Sequence, residues 1–135
     1  MLSADGDGGW VDLTPQPPCS EILYGVFVPH TNAAGLELVA VGPAADAWFL
    51  VSGNWVASPV GAPGNLYKVW GTSSDDLWAV GERGALMHYD GANWTKVETG
   101  TRTKLEAVRG RRTGGGQLEL FIAGEGGHVL RHLAP

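Results

Sequence analysis

The chain has 135 residues, and its 9 lysines and arginines against 14 aspartates and glutamates give it a formal net charge of −5. This acidic balance argues against a nucleic-acid-binding domain, which needs a basic surface. The single cysteine, Cys19, excludes an internal disulfide. No apolar run approaches the roughly 18–20 residues that a membrane-spanning helix requires.

The first part of the chain combines an irregular end with a strand. Residues 1–8 are rich in Asp and Gly and predict a flexible N-terminal end, without the basic and apolar regions of a signal peptide. Residues 9–13, G-W-V-D-L, alternate as a strand does and match residues 54–58 and 93–97. A proline-rich connector follows at residues 14–20, because proline interrupts strand pairing.

The remainder is predicted to consist of three units of short strands separated by turn residues. The first unit has strands at residues 22–27, 36–41, 47–51 and 54–58. The second has strands at residues 66–70, 77–80, 85–89 and 93–97, and the third at residues 105–109, 118–123 and 128–132. Each segment is rich in β-branched and aromatic residues and is bounded by Gly, Asp, Asn or Ser, which is typical of strands in an antiparallel meander.

Fixed spacings identify the three units as repeats of one another. A glycine closes the second strand of each unit, at Gly42, Gly81 and Gly124. A tryptophan follows the first two of these glycines by 13 residues. The additional residues of the first and third units fall in the loops after their first strands, at residues 29–35 and 111–116, where insertions are tolerated.

The third unit has no fourth strand after residue 132. By the same spacing its tryptophan would fall beyond Pro135, and Trp10 in the strand of residues 9–13 supplies it. We therefore expect this N-terminal strand to complete the third unit. The predicted fold is all-β, with twelve strands in three four-stranded antiparallel units: residues 22–58, residues 66–97, and residues 9–13 with 105–132.

The second unit carries the clearest form of the repeat, with D-D-L-W at residues 75–78 and H-Y-D-G at residues 88–91. Its pattern, L-Y-x-V-W-G-x-x-x-D-D-L-W-A-V-G-x-x-G-x-L-x-H-Y-D-G-x-x-W, resembles the blade repeat of bacterial β-propellers found in exported and cell-surface proteins. The resemblance covers about residues 9–135 and implies a β-propeller whose units are blades. It also implies a secreted or cell-surface location, which the residues themselves leave open.

Three blades span too little of a circle to close, because propellers have about four to eight. An open arc would leave apolar sheet faces in water. We therefore expect a homodimer in which two chains of three blades form a six-bladed ring. Two alternatives stay open: the residues belong to a longer propeller, or the terminal strands close a distorted three-unit barrel.

Charged residues of the turns are the first candidate ligand-binding residues. Glu82 and Glu125 hold equivalent positions after the second-strand glycines, and Arg83 follows Glu82. In a propeller these turns share one face, where carboxylates could bind a cation or a polyol. The alternative is that they are solvated turn residues.

The third unit holds a second candidate group, Arg109, Arg111 and Arg112. Arg109 stands where the first two units have Phe27 and Trp70, so this patch departs from the repeat. Arginines in such a group could hold an anion or pair with acidic groups of a partner.

The remaining reactive side chains indicate structure rather than chemistry. The tryptophans recur with the repeat, which favours packing between sheets. His128 and His132 would lie roughly 13 Å apart on one strand and cannot share a metal ion. Asp75 and Asp76 have the composition of a turn. We therefore expect no metal site, no cofactor and no catalytic residues.

The sequence thus predicts a non-enzymatic β-propeller that acts as a binding or scaffold module, with a protein or peptide bound through the loops of one face. A carbohydrate-binding, lectin-like propeller is the alternative. A lectin would repeat polar pocket residues in every unit, whereas Glu82 and Glu125 recur in two. The fold alone does not decide between these functions.

Overall fold

The computed structural model describes Leu13, residues 22–29 and residues 35–134. Within these residues the chain forms eleven strands, with 3-10 turns at Glu82–Gly84 and Glu125–Gly127. The strands are β1 (Gly25–Phe27), β2 (Leu36–Val41), β3 (Asp46–Val51), β4 (Asn54–Pro59), β5 (Leu66–Ser73), β6 (Asp76–Gly81), β7 (Leu86–Tyr89), β8 (Trp94–Lys96), β9 (Leu105–Arg112), β10 (Leu118–Gly124) and β11 (Val129–Ala134). In this part of the chain, no helix has the length and apolarity needed to cross a membrane.

The strands form three antiparallel sheets, each a meander in chain order. The first sheet is β1-β2-β3-β4, the second is β5-β6-β7-β8, and the third is β9-β10-β11. The prediction of an all-β fold in three antiparallel units is confirmed. The strand predicted at residues 9–13 lies outside the described residues except for Leu13. Among the described strands, no sheet closes on itself.

The predicted strand bounds hold for β2 and shift by one to three residues for most of the other strands. The difference at β9 bears on the predicted arginines, because β9 was expected to end at Arg109 and to lead into a loop at residues 111–116. That loop prediction is wrong for residues 111 and 112, because Arg111 pairs opposite Glu119 and Arg112 opposite Leu118, whereas residues 113–116 do lie in the turn between β9 and β10. The ladder therefore continues three residues further and places Arg111 and Arg112 on a strand.

The glycine at the end of each second strand fits tightly against the same unit's first strand. A side-chain carbon at these glycines would overlap a backbone carbonyl oxygen that lies just before the first strand or at its start. The close approach of the two backbone segments therefore requires glycine. The three pairs are Gly42 with Ile22, Gly81 with Asn65, and Gly124 with Lys104. Since the members of these pairs hold equivalent positions, the three sheets repeat in structure as well as in sequence.

The sheets stack in chain order, with the second sheet between the other two. One apolar core combines side chains of the first two sheets, among them Phe49 and Leu66. The other core combines side chains of the last two, among them Trp78 and Leu120. Burial on both faces explains why β6 is an unbroken apolar run, since alternate side chains enter opposite cores.

The two ends of the stack are exposed at positions that the inner sheets cover. Val26, Val69 and Val108 occupy the same position in the three sheets, and their exposed fractions are 63%, 7% and 4%. At the opposite end, Phe121 is 38% exposed, whereas its equivalent in the second sheet, Trp78, is 4% exposed. We call the first of these surfaces the Val26 surface and the second the Phe121 surface.

Candidate functional site

The turns gather at two opposite ends of the strands, as in any antiparallel meander. The β6–β7 turn and the β8–β9 loop lie at one end, which we call the Arg83 end. The β5–β6 and β7–β8 turns lie at the other, which we call the Asp75 end. The length of β6 separates the two ends by roughly 17 Å, at about 3.3 Å per residue.

A cavity of about 700 Å³, which we call the Arg83 cavity, opens at the Arg83 end. The β6–β7 turn and the β8–β9 loop supply most of its wall. Its lining residues are Pro63, Arg83, Gly84, Lys96, Glu98, Thr99, Gly100, Thr101 and Arg102. Three of these side chains are cationic and one is a carboxylate, so the cavity is suited to an anionic group. The Lys96–Glu98 pair, at 3.8 Å and largely exposed, neutralises little of this charge.

Hydrogen bonds fix the wall of this cavity. The Thr99 hydroxyl donates to the Gly84 carbonyl at 2.9 Å, which ties the β8–β9 loop to the β6–β7 turn. The Thr101 hydroxyl donates to Thr103 Oγ1 at 3.0 Å within the loop. Arg83, at the tip of the turn, has a φ of 60°, the left-handed conformation that side chains rarely adopt.

The predicted residue Glu82 is bonded within its own unit. Its carboxylate accepts a hydrogen bond from the Asn65 N–H at 2.8 Å and one from the Tyr67 hydroxyl at 2.9 Å. The Asn65 bond, followed by the Tyr67 bond, holds the pKa of Glu82 below its ordinary value. Burial and the bond to Glu82 raise the pKa of Tyr67 to about 12. Glu82 therefore braces the start of β5 against the β6–β7 turn.

Glu125, the equivalent residue of the third unit, has a different environment. Its carboxylate is exposed and lies 3.7 Å from Lys104 Nζ. The two carboxylates share a repeat position but not a role, and neither is among the residues that line the Arg83 cavity. Of the residues predicted for the turns, Arg83 lines this cavity.

The predicted arginine group is divided between the two faces of the third sheet. Arg109 and Arg111 alternate along β9 and lie on the Phe121 surface, since they pair opposite Phe121 and Glu119. Arg112 belongs to the opposite face and lines a cavity next to the second sheet. The structure thus keeps two of the three arginines together and separates the third.

A buried carboxylate organises the Phe121 surface. Glu119, 7% exposed, accepts a hydrogen bond from Arg111 Nε at 2.8 Å and forms an ion pair with Arg131, whose Nε lies 2.9 Å from Glu119 Oε2. The guanidinium of Arg111 also lies 5.6 Å from the centre of the Phe121 ring. Sequence reasoning missed Arg131, although the repeat aligns it with His88 of the second unit and could have revealed it.

Two indole hydrogen bonds repeat between successive units. Trp94 Nε1 donates to Ser58 Oγ of the first sheet at 3.1 Å, and Trp55 Nε1 donates to the Leu13 carbonyl at 2.6 Å. Ser58 and Leu13 hold equivalent positions by the repeat spacing. Leu13 therefore lies next to β4 of the first sheet in the same way that Ser58 of β4 lies next to β8 of the second sheet.

The described histidines and carboxylates do not assemble a metal site. No group of three or more His, Cys, Asp or Glu side chains among residues 13, 22–29 and 35–134 is arranged to hold a metal ion. His88 is close to one carboxylate, with Nε2 2.7 Å from Asp76 Oδ1. His30 and Cys19 lie outside the described residues.

Comparisons of the chain with protein-family models, curated proteins and solved structures gave no match. The resemblance of the second unit to bacterial propeller blades therefore stays a prediction. Function has to be argued from the surfaces of the molecule itself.

Proposed function

We propose that the protein is a non-enzymatic binding and scaffold module, in which the three sheets are blades of a β-propeller and a protein or peptide ligand binds at the Arg83 end. The observation that carries this proposal is the backbone of Arg83. A left-handed conformation costs a side chain about 1–2 kcal/mol relative to glycine. Strain of this kind is concentrated at functional sites.

The repeat provides the comparison for this strain. The third unit has Gly126 at the position of Arg83, and Gly126 has a similar φ of 72°. Glycine satisfies the turn there without a steric cost. The second unit keeps an arginine despite that cost, and the arginine lines the cavity with Lys96 and Arg102. A role in binding an anionic group accounts for its presence.

The asymmetry of the cavity favours a protein or peptide ligand over a glycan. A lectin-like propeller would repeat its pocket residues in each unit. The equivalents of Arg83 are Ala44 in the first unit and Gly126 in the third, and the first-unit equivalent of Lys96 is Ala57. One basic cavity on one unit suits a single acidic segment of a partner better than an array of sugars.

A displayed random-peptide library tests the proposal. Peptides selected on the wild-type protein should be rich in Asp and Glu, and Arg83→Ala with Arg102→Ala should weaken their binding about tenfold or more. Lys68→Ala, an exposed cation on β5, is the matched control and should leave binding unchanged. A glycan array with the same variants tests the alternative. If the protein binds glycans and Arg83→Ala abolishes that binding, the carbohydrate alternative replaces the peptide proposal. If neither peptides nor glycans bind, the proposal is overturned.

The proposal includes a ring of six blades made by two copies of the chain. The Val26 surface and the Phe121 surface are the two halves of the interface that occurs between neighbouring sheets within the chain. In the third sheet, Phe121 holds the position of Trp78, whose ring packs against the third sheet. In the first sheet, Val26 holds the position of Val108, which belongs to the same core as Trp78. A second copy placed head to tail would cover both surfaces with the contacts that the stack already uses.

The mass in solution tests the ring. Light scattering behind a sizing column should give about twice the 14.2 kDa of the chain. Val26→Asp should shift the protein to the single-chain mass, because the carboxylate would be buried without a partner. Val56→Asp, on exposed β4, should leave the mass unchanged. A stable single-chain mass for the wild type would show that two copies do not close the ring.

A further inference from the structure

The Asp75 end of the strands, opposite the proposed ligand cavity, carries two adjacent cavities that share their wall. Asp75 and Asp90 line both of them. One cavity, of about 500 Å³, opens between the first and second sheets, and the other, of about 400 Å³, between the second and third. The two carboxylates therefore stand between two openings of different chemistry.

The cavity between the first two sheets is mainly apolar. Leu36, Phe49, Val51 and Tyr89 line it, together with Ser74 and Gly91. Phe49 and Tyr89 meet edge to face with ring centres 5.1 Å apart, which holds both rings in place. An aliphatic side chain of a ligand would fit this wall.

The cavity between the second and third sheets contains a buried donor without a partner. Trp78 lines it and is 4% exposed, and its indole N–H has no acceptor among the described residues. Leaving such a donor unpaired costs about 1–3 kcal/mol. Its ring stacks on His88 at 4.1 Å, which fixes its orientation. The Nε1 atom itself has almost no accessible surface, so a ligand in the cavity would contact the indole ring and not its N–H.

The charge of this end is predominantly negative. Asp75, Asp76 and Asp90 line the cavities, and among the described residues Arg112 is the one lysine or arginine that does so. Arg112 also donates to the Gly116 carbonyl at 3.3 Å. The backbone N–H groups of Asn93 and Ala92 lower the pKa of Asp90, so it stays ionised at neutral pH. Asp75 is exposed and bonds a neighbouring hydroxyl, that of Ser73. Both carboxylates retain free lone pairs for a ligand.

We propose that the Asp75 end binds an extended segment of a partner protein in which an apolar residue lies next to a lysine or arginine. The apolar side chain enters the cavity between the first and second sheets, beside Phe49 and Tyr89. The cation lies between Asp75 and Asp90. This site is independent of the Arg83 cavity, since the two lie at opposite ends of the strands.

Titration followed by NMR tests the site, with the indole signal of Trp78, which lines the cavity, as the reporter. The probes are the blocked dipeptide acetyl-Leu-Arg-amide, its uncharged counterpart acetyl-Leu-Gln-amide, and spermidine, which has the cation without the apolar side chain. The Trp78 indole signal, assigned by its loss in Trp78→Phe, should move with acetyl-Leu-Arg-amide. It should move much less with the other two probes at equal concentration.

Two matched variants locate the cation. Asp75→Asn should weaken binding of acetyl-Leu-Arg-amide about threefold to fivefold, the effect of a partly exposed ion pair. Glu106→Gln makes the same charge change at an exposed position of β9 and should leave the affinity unchanged. Equal movement with acetyl-Leu-Gln-amide, or equal affinity for spermidine, would overturn the proposal. So would an indole signal that no probe moves.

Discussion

The second and third sheets carry different chemistry at the same repeat positions. In each, a carboxylate at the start of the second strand is bonded by side chains from the strands on either side. The second sheet uses Asp76 with Thr72 and His88, and the third uses Glu119 with Arg111 and Arg131. The first set faces a neighbouring sheet, whereas the second set faces water.

The difference shows how a repeat adapts to its neighbour. Compact side chains such as Thr72 fill the position that another sheet covers. Arg111 and Arg131 occupy the position that no other sheet of the same chain covers, where their guanidinium groups are exposed while their stems cover apolar surface. Trp78 and Phe121 differ in the same sense, since the larger ring is the buried one. Chemistry at a repeat position therefore reports whether that face has a partner within the chain.

Replacing the two aromatic residues tests this comparison with the largest expected effect. Trp78→Ala should lower the free energy of unfolding by about 3–5 kcal/mol, because it leaves a cavity between two sheets. Phe121→Ala should cost about 1 kcal/mol at low protein concentration, since its ring is already partly in water. Urea unfolding measures both losses. Equal losses would contradict the assignment of one covered and one open face.

Protein concentration sharpens the same experiment. If a second copy covers the Phe121 surface, the cost of Phe121→Ala should grow as the concentration rises, because association stabilises the folded chain. The cost of Trp78→Ala should grow less, since its cavity forms within one chain. A cost for Phe121→Ala that is constant over a hundredfold range would count against the six-bladed ring.

The glycine contacts test what the two sheets have in common. Gly81→Ala and Gly124→Ala should each lower the free energy of unfolding by about 1–3 kcal/mol, because the new methyl group meets a backbone carbonyl that cannot rotate away. Gly114→Ala is the control, since open space surrounds that residue. Thermal unfolding of the three variants compares them. A neutral Gly124→Ala beside a damaging Gly81→Ala would mean that the third unit does not share the repeat's backbone contact.

The buried carboxylate of the open face should have a smaller effect. Glu119→Gln should cost about 1 kcal/mol, because one amide cannot satisfy two guanidinium donors as a carboxylate does. The loss should shrink in concentrated salt, since both arginine partners are exposed. Glu106→Gln, at an exposed position of β9, is the matched control. A Glu119→Gln loss that is indifferent to salt would show that packing, rather than charge, holds this network.

The smallest effect is expected at Glu82 and depends on pH. A carboxyl whose pKa is lowered on folding stabilises the protein above its unfolded pKa, and that contribution is lost as the pH falls through the folded value. Glu82→Gln should therefore lower the melting temperature at pH 7 and lose its effect as the pH falls below the ordinary value of 4.5. Glu125→Gln should change little at either pH, because its ion pair is exposed. A Glu82→Gln deficit that persists in acid would assign the effect to shape instead of charge.

Local patterns were sufficient to predict the strands and their repeat. The run that forms β2 was bounded correctly because period, β-branched content and flanking turn residues all act within a few positions. The equivalence of Gly42, Gly81 and Gly124 was also visible, since spacing along the chain is a property of the sequence. The propeller, the ring and the ligand stay predictions.

Contacts between distant residues were beyond such patterns. The sequence grouped Arg111 with Arg112 because they are neighbours, yet successive residues of a strand point to opposite faces once β9 extends that far. It treated Glu82 and Glu125 alike, although the Tyr67 hydroxyl bonds one and the Lys104 ammonium the other. In both cases the charges and their spacing along the chain were predicted correctly, but the residues that these side chains contact were not visible in the sequence.

The sequence by itself determined an all-β chain of repeated short strands, because turn residues and apolar alternation act locally. The tertiary structure decided which faces are covered, since burial of Trp78 or exposure of Val26 depends on whether another sheet lies there. It also decided that Arg83 and Asp75 belong to opposite ends of the strands. Stacking of sheets is a non-local interaction. For that reason the two cavities at the Asp75 end and the unpaired indole of Trp78 are visible in the folded chain and not in the sequence.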